Sequence, residues 1–275
     1  MNKLTLSLVA AAASAVASFA VPATAADLGG WGRGSIKDGY AAAPASAVST
    51  CYFRTDVGYS FSAAPHMRWT ASQPGTLDER VTKTSMDDTW TGAVGMGCGQ
   101  GSRGFRYEAM LGYMGQRGIN GRTAHFDNGF TYDQQPIHSA VTSYTGMVNG
   151  YFDLGNVRGF VPYIGMGIGL AYHQMDEYTY PTGSAAPYRV TGANDLTFAW
   201  AAMTGVAYQI SDRAILDIGY RYIDLGRAST GRADPNSFTP SKLSVDDMTA
   251  HEIKVGLRYH LGGGSNCCAT YAPMK

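Results

Sequence analysis

Charged residues are scarce in this chain, and long apolar runs are almost absent. Only 15% of its 275 residues are charged, and basic and acidic side chains balance at 21 each. A balanced charge gives no electrostatic footprint for nucleic acid. Beyond the first 25 residues, no stretch is long and apolar enough for a membrane-spanning helix. The composition therefore argues against nucleic-acid binding and against a helical membrane protein.

Cysteine is also rare, with residues at Cys51, Cys98, Cys267 and Cys268. Their spacing lacks the two separated pairs of a zinc site, and the six histidines are scattered without ligand spacing. We therefore predict no metal and no other cofactor. What the chain has in excess is 35 Gly and 18 Tyr, a composition that favours strands with close backbone contacts.

The first residues have the pattern of an export signal. Lys3 precedes an apolar run over residues 4–20, and Ala23-Thr24-Ala25 fits the small-x-small cleavage pattern. A membrane anchor is the alternative, but small alanines dominate the run. We predict a signal peptide over 1–25, a flexible periplasmic segment over 26–50, a folded domain over 51–261 and a periplasmic tail over 262–275.

The strand predicted over residues 250–261 has two different faces. His251, Ile253, Val255, Leu257, Tyr259 and Leu261 alternate with Glu252, Lys254, Gly256, Arg258 and His260. Period-two alternation of this kind is typical of a strand between an apolar and a polar environment. The same pattern recurs seven more times, beginning near residues 51, 89, 105, 139, 160, 195 and 214.

The connections between these eight strands alternate strictly between short and long. The short ones are GQGSRG, GNVRG and SDR, and long polar loops are predicted over 62–88, 116–136, 174–194 and 227–247. Strands of about ten residues, short turns at one end and long loops at the other are typical of outer-membrane barrels. The prediction is an all-β fold, an eight-stranded antiparallel up-and-down transmembrane β-barrel.

Aromatic residues support a lipid-facing exterior. One set lies near the short turns and a second near the long loops, as expected for two interfacial girdles: Phe53, Phe105, Phe152, Phe160, Tyr208, Tyr259; Phe61, Trp90, Tyr113, Tyr172, Trp200, Tyr222. A soluble sandwich or lipocalin-type barrel, with its apolar face inward, is the alternative. It is disfavoured because the polar faces are rich in Gly and Ala while the large aromatics lie on the apolar faces.

Ionisable side chains on the inward faces form the main candidate site. The set comprises Arg54, Asp56, Arg106, Glu108, Asp217, Arg221, Glu252, Lys254 and Arg258. An eight-stranded barrel has an interior that side chains just fill, and buried charges there need partners. We predict a salt-bridged plug that holds the barrel shut; a narrow ion path gated by exchange of pairs is the alternative.

The predicted topology also brings two cysteines together. Cys51 begins the first strand and Cys98 ends the second, so both lie at the periplasmic end of neighbouring antiparallel strands, on the outward face. Our hypothesis is a disulfide between them. Cys267 and Cys268 could instead pair with either of these or with another molecule, because adjacent cysteines pair with each other only under strain.

Two weaker motifs suggest chemistry but lack its context. Residues 99–104 match G-x-G-x-x-G, yet the following segment alternates as a strand, whereas a dinucleotide site needs a helix there. His138 and Ser139 could begin a lipid-facing hydrolase site, but adjacent strand residues point to opposite faces and no carboxylate converges on them. We therefore predict a turn at the first motif, no catalytic residues and no enzymatic activity.

Four segments, FRTDVGYSF, VPYIGMGIG, LDIGYRYIDLG and HEIKVGLRYHL, carry a family resemblance. In order and spacing, the chain resembles the small OmpA-like outer-membrane barrels, most closely the surface-antigen barrels of alphaproteobacteria. The resemblance spans residues 51–261. It departs in one respect, because the family's last strand usually ends the chain on an aromatic residue, whereas here a tail follows Leu261.

The resemblance implies an exported protein of the Gram-negative outer membrane. Its expected partners are outer-membrane lipid and lipopolysaccharide, the barrel assembly machinery during insertion, and any extracellular ligand that the loops bind. The expected role is structural, in envelope integrity. Two alternatives are a small pore for ions or solutes and an adhesion or recognition protein that uses its four loops.

Overall fold

The computed structural model describes residues 50–71, 79–99, 104–127, 130–180, 188–211, 213–231 and 241–261. The predicted signal peptide, the segment that follows it, the tail, Cys267 and Cys268 all lie outside these ranges, so those assignments stay predictions. Within the described ranges, every regular element is a strand. No helix in this part of the chain is long and apolar enough to cross a membrane.

The described chain contains fourteen strands. They are β1 (Thr50–Ser62), β2 (His66–Ala71), β3 (Glu79–Met86), β4 (Thr89–Gly99), β5 (Gly104–Asp127), β6 (Phe130–Asp153), β7 (Phe160–Met175), β8 (Tyr178–Tyr180), β9 (Tyr188–Val190), β10 (Ala193–Gln209), β11 (Ala214–Asp224), β12 (Ala228–Ser229), β13 (Ser241–Asp246) and β14 (Thr249–His260).

Eight of these strands close into a barrel. β1 pairs with β4 on one side and with β14 on the other, and every neighbour in the series β4, β5, β6, β7, β10, β11 and β14 is antiparallel. Closure leaves no unpaired edge, which is the condition for crossing a bilayer with strands. The predicted eight-stranded up-and-down barrel is therefore confirmed.

The alternation in sequence places side chains on the predicted sides of the wall. On β1, Val57 is 60% exposed on the outside, while its neighbour Asp56 is 4% exposed and faces the lumen. The outer surface carries many large apolar side chains, including Trp90 at 68%. An apolar exterior around a polar lumen excludes the soluble sandwich and lipocalin alternatives.

The predicted long loops are the part of the fold that the sequence analysis got wrong. Residues 116–136 were expected to form a loop, but β5 and β6 continue through them as one long hairpin with only residues 128–129 outside the described strands. The other three loop regions also contain strands: β2 and β3 in the first, β8 and β9 in the next, and β12 and β13 in the last. The strands in these regions have no lipid-facing side. Their sequences therefore lack the apolar face by which the barrel strands were recognised.

These extra strands build a second, outer part of the structure. β12, β13, β2 and β3 pair in that order, and β3 joins the far half of β5. At the β12 end of this series, the carboxylate of Asp195 on β10 accepts hydrogen bonds from the backbone N and the Oγ of Ser229, at 2.5 and 2.6 Å. We call β2, β3, β12, β13 and the far halves of β5, β6, β7 and β10 the outer extension.

A β-bulge in β5 marks the entry into the outer extension. The register with β6 shifts between Met114 and Arg117. Tyr113 faces outward before the bulge, but Arg117, four residues on, is fully buried inside. An inserted residue reverses the alternation beyond it, so extrapolating the sequence pattern would have placed Arg117 outside.

Glycines on the lumen side of β7 make room for the large side chains of β6. A Cβ at Gly165 would overlap the ring of Tyr151 and lie 2.9 Å from the carbonyl oxygen of Gly150. Gly167 stands against Asn149 and Gly169 against Met147 in the same way. The small side chains of β7 therefore let the tyrosine and methionine of β6 fill the barrel centre.

Candidate functional site

The lumen at the short-turn end of the barrel is filled by ion pairs, which we call the ionic layer. It consists of Arg54, Asp56, Arg106, Glu108, Asp153, Asp217, Lys254 and Arg258, with the pair Arg221–Glu252 beside it. All nine residues predicted from the sequence lie here. They come from β1, β5, β11 and β14, whose inward faces meet at the barrel axis.

Arg54 of β1 is the centre of the layer. Its Nε lies 2.7 Å from Oδ1 of Asp56, and its Nη1 lies 3.1 Å from Oε1 of Glu108. The same Nη1 lies 3.9 Å from Oδ1 of Asp217. Since the arginine side chain is only 5% exposed, its three contacts link β1, β5 and β11 across a nearly dry interior.

Glu108 shares its charge with a second arginine and a phenol. Oε1 of Glu108 lies 2.6 Å from Nη1 of Arg106 and accepts a 2.7 Å hydrogen bond from Oη of Tyr52. Arg106 also donates from Nε to Asp153 on β6, at 3.0 Å to Oδ1 and 3.1 Å to Oδ2. The chain of contacts thus extends from β1 through β5 to β6.

The remaining charges close the layer on the β11–β14 side. Arg258 donates twice to Asp217, from Nε at 2.6 Å and from Nη2 at 3.2 Å. Nζ of Lys254 lies 2.7 Å from Oδ2 of Asp56. Arg221 contacts Glu252 at 2.6 Å through its Nε. A two-point contact such as that between Arg258 and Asp217 fixes the relative orientation of the two groups as well as pairing their charges.

Three tyrosines fill the space between the charges. The guanidinium carbon of Arg106 lies 3.9 Å from the ring centre of Tyr151 and 4.8 Å from that of Tyr163. Tyr151 and Tyr163 meet edge to face, with centres 5.6 Å apart. Cations over aromatic faces are favourable once water is excluded. The rings therefore both occupy volume and stabilise the arginines.

A small cavity remains at the centre of the barrel. It leaves about 10 Å³ for the centre of a water molecule, which is room for a single water. Its lining consists of Arg54, Tyr151, Tyr163, Met203, Gly219, Tyr220, Arg221 and Lys254.

Sequence reasoning missed part of the layer. Asp153 of β6 is not among the nine predicted residues; it supplies the fifth carboxylate, so five cations face five anions. Tyr52 was not considered, although it is 1% exposed and bonded to Glu108. The available signal was that Tyr52 lies two residues before Arg54 on β1 and therefore on the same, inward face.

The lumen at the long-loop end has a different filling, which we call the apolar layer. It continues into the outer extension and consists of Met67, Val81, Met86, Ile119, Val141, Met175, Leu225, Leu243, Val245 and Met248, none more than 7% exposed. These side chains pack together as one buried cluster. The lumen is thus filled twice along its length.

A short polar chain separates the two layers. Arg117 donates from Nη2 to Oγ of Ser143 at 3.0 Å, and that hydroxyl lies 2.8 Å from Nδ1 of His173. Nε2 of His173 lies 3.0 Å from the carbonyl oxygen of Leu225. No carboxylate within the described residues forms an ion pair with Arg117. Arg117 was missed because residues 116–136 were predicted as a loop and because the bulge turns this side chain inward.

Cys51 and Cys98 are register partners on β1 and β4 and are joined by a disulfide in the structure. The bond lies at the short-turn end, on the outer wall of the barrel. It links residues separated by 47 positions in the chain.

The weaker motifs acquire no catalytic geometry. The segment after Gly104 is strand β5 rather than a helix, so the G-x-G-x-x-G match does not open a dinucleotide site. His138 is exposed and contacts Asn120, whereas Ser139 faces inward. Among the described residues, no three His, Cys, Asp or Glu side chains are grouped as a metal site.

Comparison with known proteins agrees with this architecture. A family model described as "Surface antigen" matches residues 116–260. An uncharacterized protein of Brucella suis biovar 1 (strain 1330) is 31% identical over 252 residues, covering 78% of this chain and 86% of the relative.

A further relative and a solved structure are outer-membrane proteins. The outer membrane protein PagN of Salmonella typhimurium is 35% identical over 129 residues, covering 45% of this chain and 54% of PagN. The outer membrane protein OprG from Pseudomonas aeruginosa has a solved structure with a TM-score of 0.49 at 14% identity, covering 77% of this chain and 97% of OprG. Together with the closed barrel and its apolar exterior, the family match identifies this chain as a member of the surface antigen family and a β-barrel of the outer membrane.

Proposed function

We propose that this protein is a closed, structural component of the outer membrane that contributes to envelope integrity and neither conducts solutes nor catalyses a reaction. The observation that carries the proposal is the double filling of the lumen. The ionic layer blocks the barrel at the short-turn end, and the apolar layer blocks it at the long-loop end. We include the Cys51–Cys98 disulfide in this proposal as a tie between the first two barrel strands.

The ionic layer is suited to holding strands together. Its contacts bridge β1, β5, β6, β11 and β14, so that breaking any member leaves a buried charge without its partner. Losing one member of a buried pair costs about 3 to 5 kcal/mol. Such a network favours one register and one closed arrangement of strands, which suits a structural protein of the envelope.

Single-channel recording of the mature barrel in a planar bilayer tests the closed lumen. We expect the wild type to be silent. Because the two layers lie in series, R54A/R221A should also stay silent, whereas the same pair combined with I119A/L243A should conduct. R158Q/R213Q, which removes two exposed arginines from the short turns, is the control for loss of charge.

Steady conductance of the wild type would contradict the proposal and favour the small pore. Mapping of disulfide-linked peptides under non-reducing conditions checks the disulfide, and recovery of Cys51 and Cys98 as free thiols would contradict it.

Insertion is expected to require the barrel assembly machinery, since an exported barrel needs a catalyst at the membrane. Depletion of that machinery should leave the chain unfolded in the periplasm.

A recognition role is the second candidate. Most of the described residues beyond the barrel form strands, and an ordered surface is better suited to binding than a flexible one. Within the described residues, β8 and β9 pair with each other and with no further strand. Replacing residues 178–190 by a short Gly-Ser link should leave the barrel folded, and loss of cell attachment in that variant would favour recognition.

A further inference from the structure

Arg117 is a lumen cation that forms no ion pair with a described carboxylate. Its side chain is fully buried, and a guanidinium keeps its charge in proteins. Nη2 donates to Oγ of Ser143, but Nε and Nη1 have no hydrogen-bond partner within the described residues. The bulge in β5 therefore brings into the barrel a charged group with most of its donors unused.

The polar chain that starts at Arg117 supplies no negative charge. Nε2 of His173 lies 3.0 Å from the carbonyl oxygen of Leu225, which can only accept, so in the neutral ring Nε2 carries the proton. Nδ1 of His173, 2.8 Å from Oγ of Ser143, then accepts from that hydroxyl, and the hydroxyl oxygen accepts from Arg117. The chain passes hydrogen bonds on to a backbone carbonyl and leaves the charge of Arg117 uncompensated.

The carboxylates of the lumen are already paired with other cations. The ionic layer, together with the Arg221–Glu252 pair, holds five cations and five carboxylates, so Arg117 is the sixth cation. Glu252 acts on Arg117 electrostatically, but its Oε2 is held 2.6 Å from Nε of Arg221 and its Oε1 has no partner. Asp195, across from the histidine on β10, is directed to Ser229. An uncompensated charge in a dry interior is strongly destabilising.

The surroundings of Arg117 are apolar apart from one further unused donor. Val141, its register partner, and Met114 belong to the buried apolar cluster. Met114 is paired with Ser143 on one side and with Thr91 on the other, so these three residues form one row across β4, β5 and β6. The guanidinium reaches this row through its bond to Ser143, and Oγ1 of Thr91 on the same row is buried without a partner.

We propose that Arg117 binds a small monovalent anion of the size of chloride or bromide inside the lumen. The anion accepts from Nε and Nη1 and neutralises the sixth cation, while every pair of the ionic layer stays as it is. A halide suits a fully buried site between apolar side chains, because it gives up its water more readily than phosphate does. Since the site is enclosed, the ion is captured as the barrel folds. The inference concerns a bound ion and does not rest on the proposed structural function.

Anomalous scattering from crystals of the wild-type barrel, refolded and grown in bromide, locates the ion directly. We expect a bromide peak within hydrogen-bond distance of Nε and Nη1 of Arg117, and no peak at this position in R117M. Bromide confined to exposed arginines would mean an adventitious ion only and would overturn the proposal. A water molecule that bridges Arg117 to Oε1 of Glu252 in place of the ion would overturn it as well.

Urea unfolding of the full-length mature chain in lipid vesicles gives the solution test. The protein is refolded in chloride or in gluconate, a bulky anion, at equal ionic strength, so that screening is the same in both. With chloride at about ten times its dissociation constant, we expect the unfolding equilibrium constant of the wild type to be about tenfold lower in chloride. R213M, at an exposed arginine, is the control and should keep this difference.

R117M should lose the difference between the two salts. In gluconate it should also be at least as stable as the wild type, because an apolar side chain of similar length replaces an uncompensated charge. An arginine with a purely structural role would instead make R117M less stable in both salts. Equal unfolding of the wild type in both salts, or a chloride effect that persists in R117M, would overturn the proposal. If R117M does not fold, the bromide peak in the wild type decides.

Discussion

The two halves of the lumen reach the same closed state by opposite chemistry. Near the short turns, ten ionisable side chains and three tyrosines fill the barrel through directional contacts such as the 2.6 Å pair of Arg106 and Glu108. Near the long loops, Ile119, Leu243 and their neighbours fill it without charge and are fully buried. The apolar layer lies beyond the β5 bulge, where the alternation of the membrane-spanning wall is reversed.

This difference shows how tolerance to substitution should vary along the barrel. An ionic network depends on each partner, because a charge left alone in a dry interior is costly. Apolar packing depends mainly on volume, since neighbouring side chains relax only partly into a gap. The ionic layer should therefore be the more sensitive half, and graded substitutions in each half test that expectation.

The largest effect is expected in the ionic layer. E108L removes the acceptor shared by Arg54, Arg106 and Tyr52 and leaves two buried guanidinium groups short of a partner. We expect the free energy of unfolding to fall by about 4 kcal/mol. Urea unfolding in lipid vesicles, followed by tryptophan fluorescence, measures it. D87N, at an exposed carboxylate, is the control, and an equal loss in both would contradict the ionic layer's role.

A somewhat smaller effect is expected in the apolar layer. I119A leaves a cavity at a side chain that is 0% exposed, and the expected loss is about 3 kcal/mol in the same unfolding measurement. The matched variant L243A, on β13, should lose a similar amount. If both substitutions were neutral, the outer extension would not be packed as a continuous core.

Substitution at the contact between β10 and β12 in the outer extension should lower stability less. D195A removes the carboxylate that accepts from the backbone N and Oγ of Ser229, and we expect a loss of about 1.5 kcal/mol. Amide hydrogen exchange should rise at β12 and β13 and stay unchanged at β1 and β14. Faster exchange throughout the barrel would mean that the extension and barrel do not open separately.

The smallest effect is expected on the lipid-facing wall. T55V changes an exposed side chain on β1, directly beside the lumen-facing Arg54 and Asp56, and should alter unfolding by less than about 0.5 kcal/mol. The same unfolding measurement compares it with E108L. A loss comparable to that of E108L would contradict the assignment of the two faces of β1.

The sequence alone determined the barrel. Period-two alternation in eight segments fixed which side chains face lipid and which face the lumen, because successive residues of a strand must point to opposite sides. That alternation also identified all nine predicted members of the ionic layer. It required no knowledge of which strand pairs with which, since every inward face of a closed barrel meets the same axis.

The tertiary structure determined the fold of the chain beyond the membrane and the pairing partners of its strands and side chains. Residues 116–136 look like a polar loop because their strands have no lipid-facing side there, and only pairing between β5 and β6 reveals them. The bulge near Met114 reverses the alternation and turns Arg117 inward, which no local pattern predicts. Likewise, Asp153 joins Arg106 only because β5 and β6 are neighbours in the closed sheet. Side-chain direction is thus a local property of a strand, whereas partners and register are set by contacts distant in sequence.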